Sequence, residues 1–363
     1  MYVMSLCRLG SINKLIVNRT SRIWTQRGWG ELASARTVAR SARACDLDSM
    51  RTILCGVYKQ MKRRKGLSSP FHSSLFALIV DGHECFCSNR RKWRDCLTRR
   101  IAGSKGEPTQ SYCRVVTAVL LCKDFVLLLD VEIQRVGEGE TACASRLFKR
   151  IMANYPKAFD VVCADGLYAQ QPFIRLVRKH HKHCIVVLKD QRRDLMVEAR
   201  KLFASNTPTQ TVTHGRVQRQ IWDCDVDAWW AQTRMCIRVV RSREISYVIR
   251  QNGGKREEKI SDWIWATTIP RQILPAVNLV TAGHRRWDIE NKCFNELANS
   301  WHINHAYTHD CHAVQAFWLL TMIAYNIFHA FYWFNLKPSL RQCQPKTNLA
   351  DTITAAFYCY EGG

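Results

Sequence analysis

The chain has 363 residues, 47% of them hydrophobic and 12 of them tryptophan, which excludes a disordered or low-complexity protein and allows two or three domains. Lys and Arg outnumber Asp and Glu by 54 to 30, a formal charge of +24; that excess favours a polyanionic partner, nucleic acid foremost, over an anionic membrane surface. The 17 cysteines are scattered rather than gathered in a short framework, so they read as reduced thiols, many of them buried.

Met1–Ala44 is basic and poorly patterned. It lacks the apolar core and cleavage pattern of a signal peptide, and reads as a flexible arm or the remnant of a DNA-binding region. Asp46 or Asp48 is placed to cap a helix through Met50, Ile53, Leu54, Val57 and Tyr58, ending in Lys62, Arg63, Arg64 and Lys65 before Gly66. Those cations fit a solvated helix end, favoured by its dipole, or contacts to phosphate. Leu75–Val80 reads as a central strand ended by Asp81–Gly82. Val115–Leu121 and Phe125–Val131 form a predicted hairpin, Thr141–Ala153 a helix, and Phe159–Ala164 a buried strand ended by Asp165–Gly166. A helix (Gln171–His180), a strand (Cys184–Leu188) and a helix (Leu195–Phe203) follow, the order of a mixed α/β sheet with helices on its faces. Between Asn206 and Pro275 the β-branched and aromatic runs, with an Asn252–Gly253 turn, predict an antiparallel β insertion. A helical pattern resumes near Leu279. Within it Val314–Phe334 is long and apolar, but Gln315, Thr321, Asn326 and His329 interrupt it at helical intervals, favouring a buried helix over a membrane span. The tail after Pro338 is uninformative.

The chemistry concentrates at TAGHRRWDIENKCFNEL. Arg286 and Glu290 are four apart and share a face if the segment is one helix, with Trp287, Phe294 and Leu297 as its apolar stripe. Asp81 and Asp165 follow predicted strands, at the usual ligand crevice of an open α/β sheet, although many strand-end acids only cap loops. Three carboxylates brought together suit hard divalent cations. A two-ion clamp can activate a water or a 3′-hydroxyl and stabilise the leaving oxygen of a phosphoryl displacement, with Arg286 on the phosphate. His83, Cys85, Cys87 and Cys96 lack the spacing of a paired CxxC ribbon and read as free thiols on a loop rather than a zinc site. His302, His305, His309 and His312 share a face if helical, where backbone or phosphate contacts are favoured over metal. Cys163 belongs to a buried strand without a nucleophile motif, so covalent catalysis is discounted.

IVDGHE, CADGLYA and RRWDIENKCFNELANSWHINH, in this order, resemble the three acidic motifs of DDE-type insertion-sequence transposases, in the cut-and-paste branch with a β-rich insertion between the second Asp and the Glu. The resemblance runs over about Leu47–Phe334 and includes GEGETACASRLFKRI. It implies an α/β fold: an RNase H-like mixed sheet flanked by helices, interrupted by an antiparallel β insertion, with a helical N-terminal region. The corresponding organisation is 1–70 a basic, partly helical DNA-binding region, shortened relative to the family, 71–205 the first part of the catalytic core, 206–278 the insertion, 279–336 the completed core and 337–363 a tail. The resemblance also implies Asp81, Asp165 and Glu290 as ligands to two Mg2+ or Mn2+ ions. Expected partners are double-stranded DNA (terminal inverted repeats and target) and a second copy of the chain, in the prokaryotic cytoplasm and not at a membrane. Arg286 matches the arginine of the family's helix signature. The tyrosine slot of that signature is Gly283 and the lysine slot Leu297, with His284 and Lys292 nearby as candidate DNA contacts alongside Lys62, Arg63, Arg64 and Lys65. Trp222, Trp229, Trp230, Trp263 and Trp265 read as the core of the insertion, one or two able to stack on an extruded base. The alternatives are a metal-dependent DNA nuclease of the same fold and an inactive DNA-binding relic.

Overall fold

The computed structural model describes every residue except 1, 18–23, 25–32, 72–73, 102–108, 190–193, 227–234, 250–255 and 360–363. Two compact units emerge, which the chain enters in turn. Met1–Ser68, Asp81–Pro156 and Ile289–Gly363 form the first, Ser69–Val80 and Lys157–Asp288 the second.

In the first unit, α1 (Tyr2–Leu6), α2 (Ile12–Val17) and α3 (Ala35–Arg43) precede α4 (Leu47–Arg63). Ser34 and Asp46 cap α3 and α4, accepting from the amides of Thr37 at 3.2 Å and Asp48 at 3.0 Å, donors that a first helical turn leaves unpaired. The expected arm is corrected for the described residues: Met4, Ile12, Trp24, Val38 and Ala42 close on Ala313 and Phe317 of α10 (Cys311–Ala330). Each short helix contributes only one or two of these contacts, too few to set a period. The stretch Cys311–Asn335 is long and apolar enough to cross a bilayer, but 83% of its most apolar window is buried inside the protein, as a helix apolar on all sides requires. Two of its polar interruptions bond to the backbone of a strand. Asn326 donates to Leu128 O at 2.7 Å and accepts from Leu128 N at 3.0 Å, while Gln315 donates to Val131 O at 2.9 Å. These amides stand in for a strand partner beside β4 (Val126–Ile133).

β4 forms the predicted hairpin with β3 (Thr109–Leu121), which also pairs antiparallel with β2 (Leu97–Arg100). β1 (Ala77–Ser88) adjoins β3. α5 (Glu140–Asn154) follows the hairpin. Asp130 of β4, 1% exposed, pairs with Arg51 of α4 and Arg150 of α5, tying three elements through one buried carboxylate.

In the second unit the first residues of β1 pair in parallel with β5 (Val161–Ala164), Ala77 opposite Val161 and Val80 opposite Ala164. β5 pairs in parallel with β6 (His183–Val187), and α6 (Gln171–Lys179) makes the crossover. α7 (Asp194–Ser205) leads into the insertion, β7 (Gln210–His214), β8 (Val217–Val226), β9 (Ile237–Ile249) and β10 (Arg256–Thr267), antiparallel throughout. β10 also pairs with β6, so the insertion extends the core sheet instead of standing apart from it. α8 (Ala276–Arg285) follows. Strand, antiparallel hairpin, helix, parallel strand, helix and parallel strand make the mixed α/β, RNase H-like architecture. Asn252, Gly253, Trp229 and Trp230 lie outside the described residues.

One strand reading is corrected. β1 does not end at Asp81 but runs on to Ser88 beside β3. Gly82 permits this where another element comes close: a Cβ there would lie 2.4 Å from Glu140 Cδ.

Candidate active site

Asp81 is the first residue of its first-unit segment and stands within β1, 7% exposed, its Oδ1 accepting from Gly82 N at 3.0 Å. Glu140, at the start of α5, packs its carboxylate on Gly82 and accepts from Arg114 at 3.3 Å. Glu84, further along β1, is gripped by Arg99 at 2.8 and 2.9 Å. His83 stacks on Phe294, centroids 4.6 Å apart, and its Nε2 lies 2.6 Å from Asn304 Oδ1. Burial lowers its pKa despite the opposing pull of Asn304 and Glu84. That ring contact joins β1 to the segment carrying Glu290. Glu140 had no role assigned from sequence; the signal for it was GEGETACAS.

The Glu290 segment is not one helix. α8 ends at Arg285, Ile289–Phe294 is wound as a π-turn, and α9 (Asn295–Trp301) follows. The shared α-helical face of Arg286 and Glu290 is therefore corrected: a π-turn takes more residues per turn, and Arg286 belongs to the second unit. Along the segment Ile289, Cys293, Phe294 and Leu297 are buried while Glu290 stays half-buried. Leu297, the lysine slot, is thus core. Lys292 lies in the π-turn.

In the second unit Asp165 follows β5 and caps a 3-10 turn (Gly166–Tyr168), accepting from Leu167 N at 2.8 Å with its side chain half-exposed. Arg286 is 2% exposed, its guanidinium 4.8 Å from the centroid of the Trp287 ring. Burial pushes the Cys163 thiol up to about 12 against the pull of the Arg286 charge, which leaves no thiolate nucleophile there. His284 is bonded through Nε2 to Glu244 at 2.7 Å and sits edge-on to Trp263 and Trp265. Burial would raise the Glu244 pKa, but His284 and Arg219 hold it below the usual range. At Gly283 a Cβ would fall 2.3 Å from Nε1 of Trp265, a residue 1% exposed, so the tyrosine slot is filled by the tryptophan. Trp222 is buried under Arg241, and Trp263 stacks on Trp265.

Lys62, Arg63, Arg64 and Lys65 are all exposed around the end of α4, in the first unit. Among the described residues no group of three or more His, Cys, Asp or Glu is close enough to hold a metal ion. Cys85 donates to Cys113 O at 3.4 Å, Cys87 is exposed, and no disulfide links the described cysteines. The four histidines do not share a helix face. His302 is a left-handed cap on α9 (φ 53°), and Asp310 caps α10 anew before His312. His312 bonds Cys45 O at 2.8 Å, and His309 packs on Trp93. Asp81, Asp165 and Glu290 offer only carboxylate oxygen, the donor class that hard divalent cations take.

A family model described as Transposase DDE domain matches residues 93–327, a span holding Asp165 and Glu290 and beginning after Asp81. No curated protein matches. Among solved structures, the NurA nuclease from Sulfolobus solfataricus aligns over 72% of this chain and 98% of its own, at 11% identity and a TM-score of 0.28, too distant a likeness to carry weight.

Proposed function

The chain belongs to the transposase DDE-domain family, and from that premise we propose that it binds the terminal inverted repeats of its own element, cuts there and joins the freed ends to target DNA. The observation that carries this reading is the family match over 93–327 taken with Asp81, Asp165 and Glu290, an oxygen-only donor set in the family's order. In this reading the three acids hold two Mg2+ or Mn2+ ions, which when bound activate the attacking oxygen and stabilise the leaving one. Arg286 neutralises phosphate charge near Asp165. Lys62, Arg63, Arg64 and Lys65 contact the DNA backbone, and Lys292 and His284 serve as further DNA contacts. His284 must then give up its bond to Glu244 or contact DNA through its other nitrogen. Two copies of the chain hold the two element ends, in the prokaryotic cytoplasm. Residues 71–205 and 279–336 make up the catalytic core, with 206–278 as its insertion.

The test is incubation with DNA ending in the element's own repeat, a target plasmid and Mg2+. Joined products establish transposition, nicks without joining favour a metal-dependent nuclease, and binding without cleavage identifies a relic.

A further inference from the structure

We propose that Glu296, gripped by Lys346 and His329, is a positioning residue for Glu290, and that the C-terminal helix α12 (Lys346–Cys359), which follows α11 (Pro338–Cys343), clamps the acid-bearing segment. The inference rests on the reading of Glu290 as a metal ligand.

Glu296 lies in the first turn of α9, directly after the π-turn. Its Oε1 is 3.1 Å from His329 Nε2 and its Oε2 accepts from Lys346 Nζ at 2.8 Å. His329 is 1% exposed and stacked on Tyr325, and its Nδ1 is buried with no hydrogen-bond partner. A charged ring would bury an unsatisfied N–H at that atom, so the imidazole is neutral and donates through Nε2, leaving Lys346 as the counter-charge. Burial keeps the His329 pKa low, in the same sense. Lys346 opens α12, and α12 is secured elsewhere as well: Asp351 pairs with Arg8, which also donates to Thr347 O at 3.2 Å. His329 and Lys346 both lie beyond the family match, which ends at 327.

The clamp matters because of what it abuts. A single π-turn is a rare state that neighbours must hold in place. Relaxing it to α geometry passes one residue through the turn, which rotates its upstream end by about 100° relative to α9. Glu290 stands at that upstream end. The His83–Phe294 stack holds the turn and the Glu296 clamp fixes the helix it runs into, so losing the clamp lets the carboxylate swing out of phase.

The experiment compares full-length wild type, Lys346→Met, Lys346→Arg and Glu296→Gln by amide hydrogen exchange and by the Mn2+ concentration giving half-maximal cleavage. Lys346→Met and Glu296→Gln are expected to speed exchange across 289–301 at least about tenfold, leaving β3 and β4 unchanged. Both should raise the Mn2+ requirement about 10-fold or more, the usual cost of losing a supporting contact behind a metal ligand, while Lys346→Arg restores both. Unchanged exchange in 289–301, or equal acceleration in β3 and β4, overturns the clamp. Altered exchange with an unaltered Mn2+ requirement overturns the positioning role. A wild type that binds DNA but never cleaves overturns the catalytic reading, and with it the positioning role, while the exchange measurement still decides the clamp.

Discussion

Asp165 and Glu290 are held in contrasting ways. Asp165 sits at the end of a four-residue strand with parallel neighbours on both sides, and its carboxylate is fixed by an amide two residues on, at 2.8 Å. Glu290 sits on a π-turn whose supports come from far along the chain, His83 on one side and Lys346 on the other. Locally held acids depend on strand ends and turns that short sequence segments encode. An acid held by distant contacts depends on the whole unit being assembled.

That contrast can be broken or sharpened experimentally. The largest stability effect is expected in the first unit from Asp130→Ala, which strands Arg51 and Arg150 against a buried site. A loss of about 3–5 kcal/mol in urea unfolding is expected, and a loss below about 1 kcal/mol would show the network to be dispensable. Acid comes next. The Glu296 carboxyl is lowered to about 2: its burial opposes the shift, but His329 and Lys346 outweigh it. Its stabilisation is therefore complete above the unfolded value near 4.5 and is lost as pH falls toward 2, a contribution on the order of 3 kcal/mol. Lys346→Met should flatten that part of the pH–stability profile; an unchanged profile would contradict the pairing. In the second unit Gly283→Ala should cost about 1–3 kcal/mol by overpacking against Trp265, read as a fall in Tm, and Gly283→Tyr should not restore the family signature. The smallest effect on stability is expected from changing Lys62, Arg63, Arg64 and Lys65 together to Ala, within about 0.5 kcal/mol at these exposed positions. The same change should flatten the salt dependence of DNA binding by up to about 3–4 in log–log slope. An unaltered slope would remove these residues from the DNA interface.

What was legible in the sequence follows the same division. Asp46 as a cap, the hairpin at Cys122–Asp124, the short strand before Asp165 and the buried helix after Asp310 all rest on local pattern, and the structure has them. Asp81 was misread as ending a strand because Asp–Gly is an ordinary turn signal. Here Gly82 instead makes room for Glu140, a contact that no local window contains. The π-turn was illegible because apolar spacing of three, four and seven fits an α-helix and does not register one extra residue in a turn. The histidines at 302–312 have helical spacing, but a left-handed residue at His302 and a fresh cap at Asp310 divide them. A helical N-terminal region was expected from the resemblance alone; the individual helices before Asp46 were not legible, because their partners lie on α10, some 300 residues later.

The most direct test of the central claim is single-turnover cleavage of terminal-repeat DNA in Mg2+ by wild type, Asp81→Asn, Asp165→Asn and Glu290→Gln, with DNA binding measured alongside. Cleavage by wild type and a comparable loss in all three variants, on the order of 10²–10³-fold or more, with binding retained, is the predicted result. Wild-type levels of cleavage in any one variant would contradict it, and would remove that carboxylate from the catalytic site.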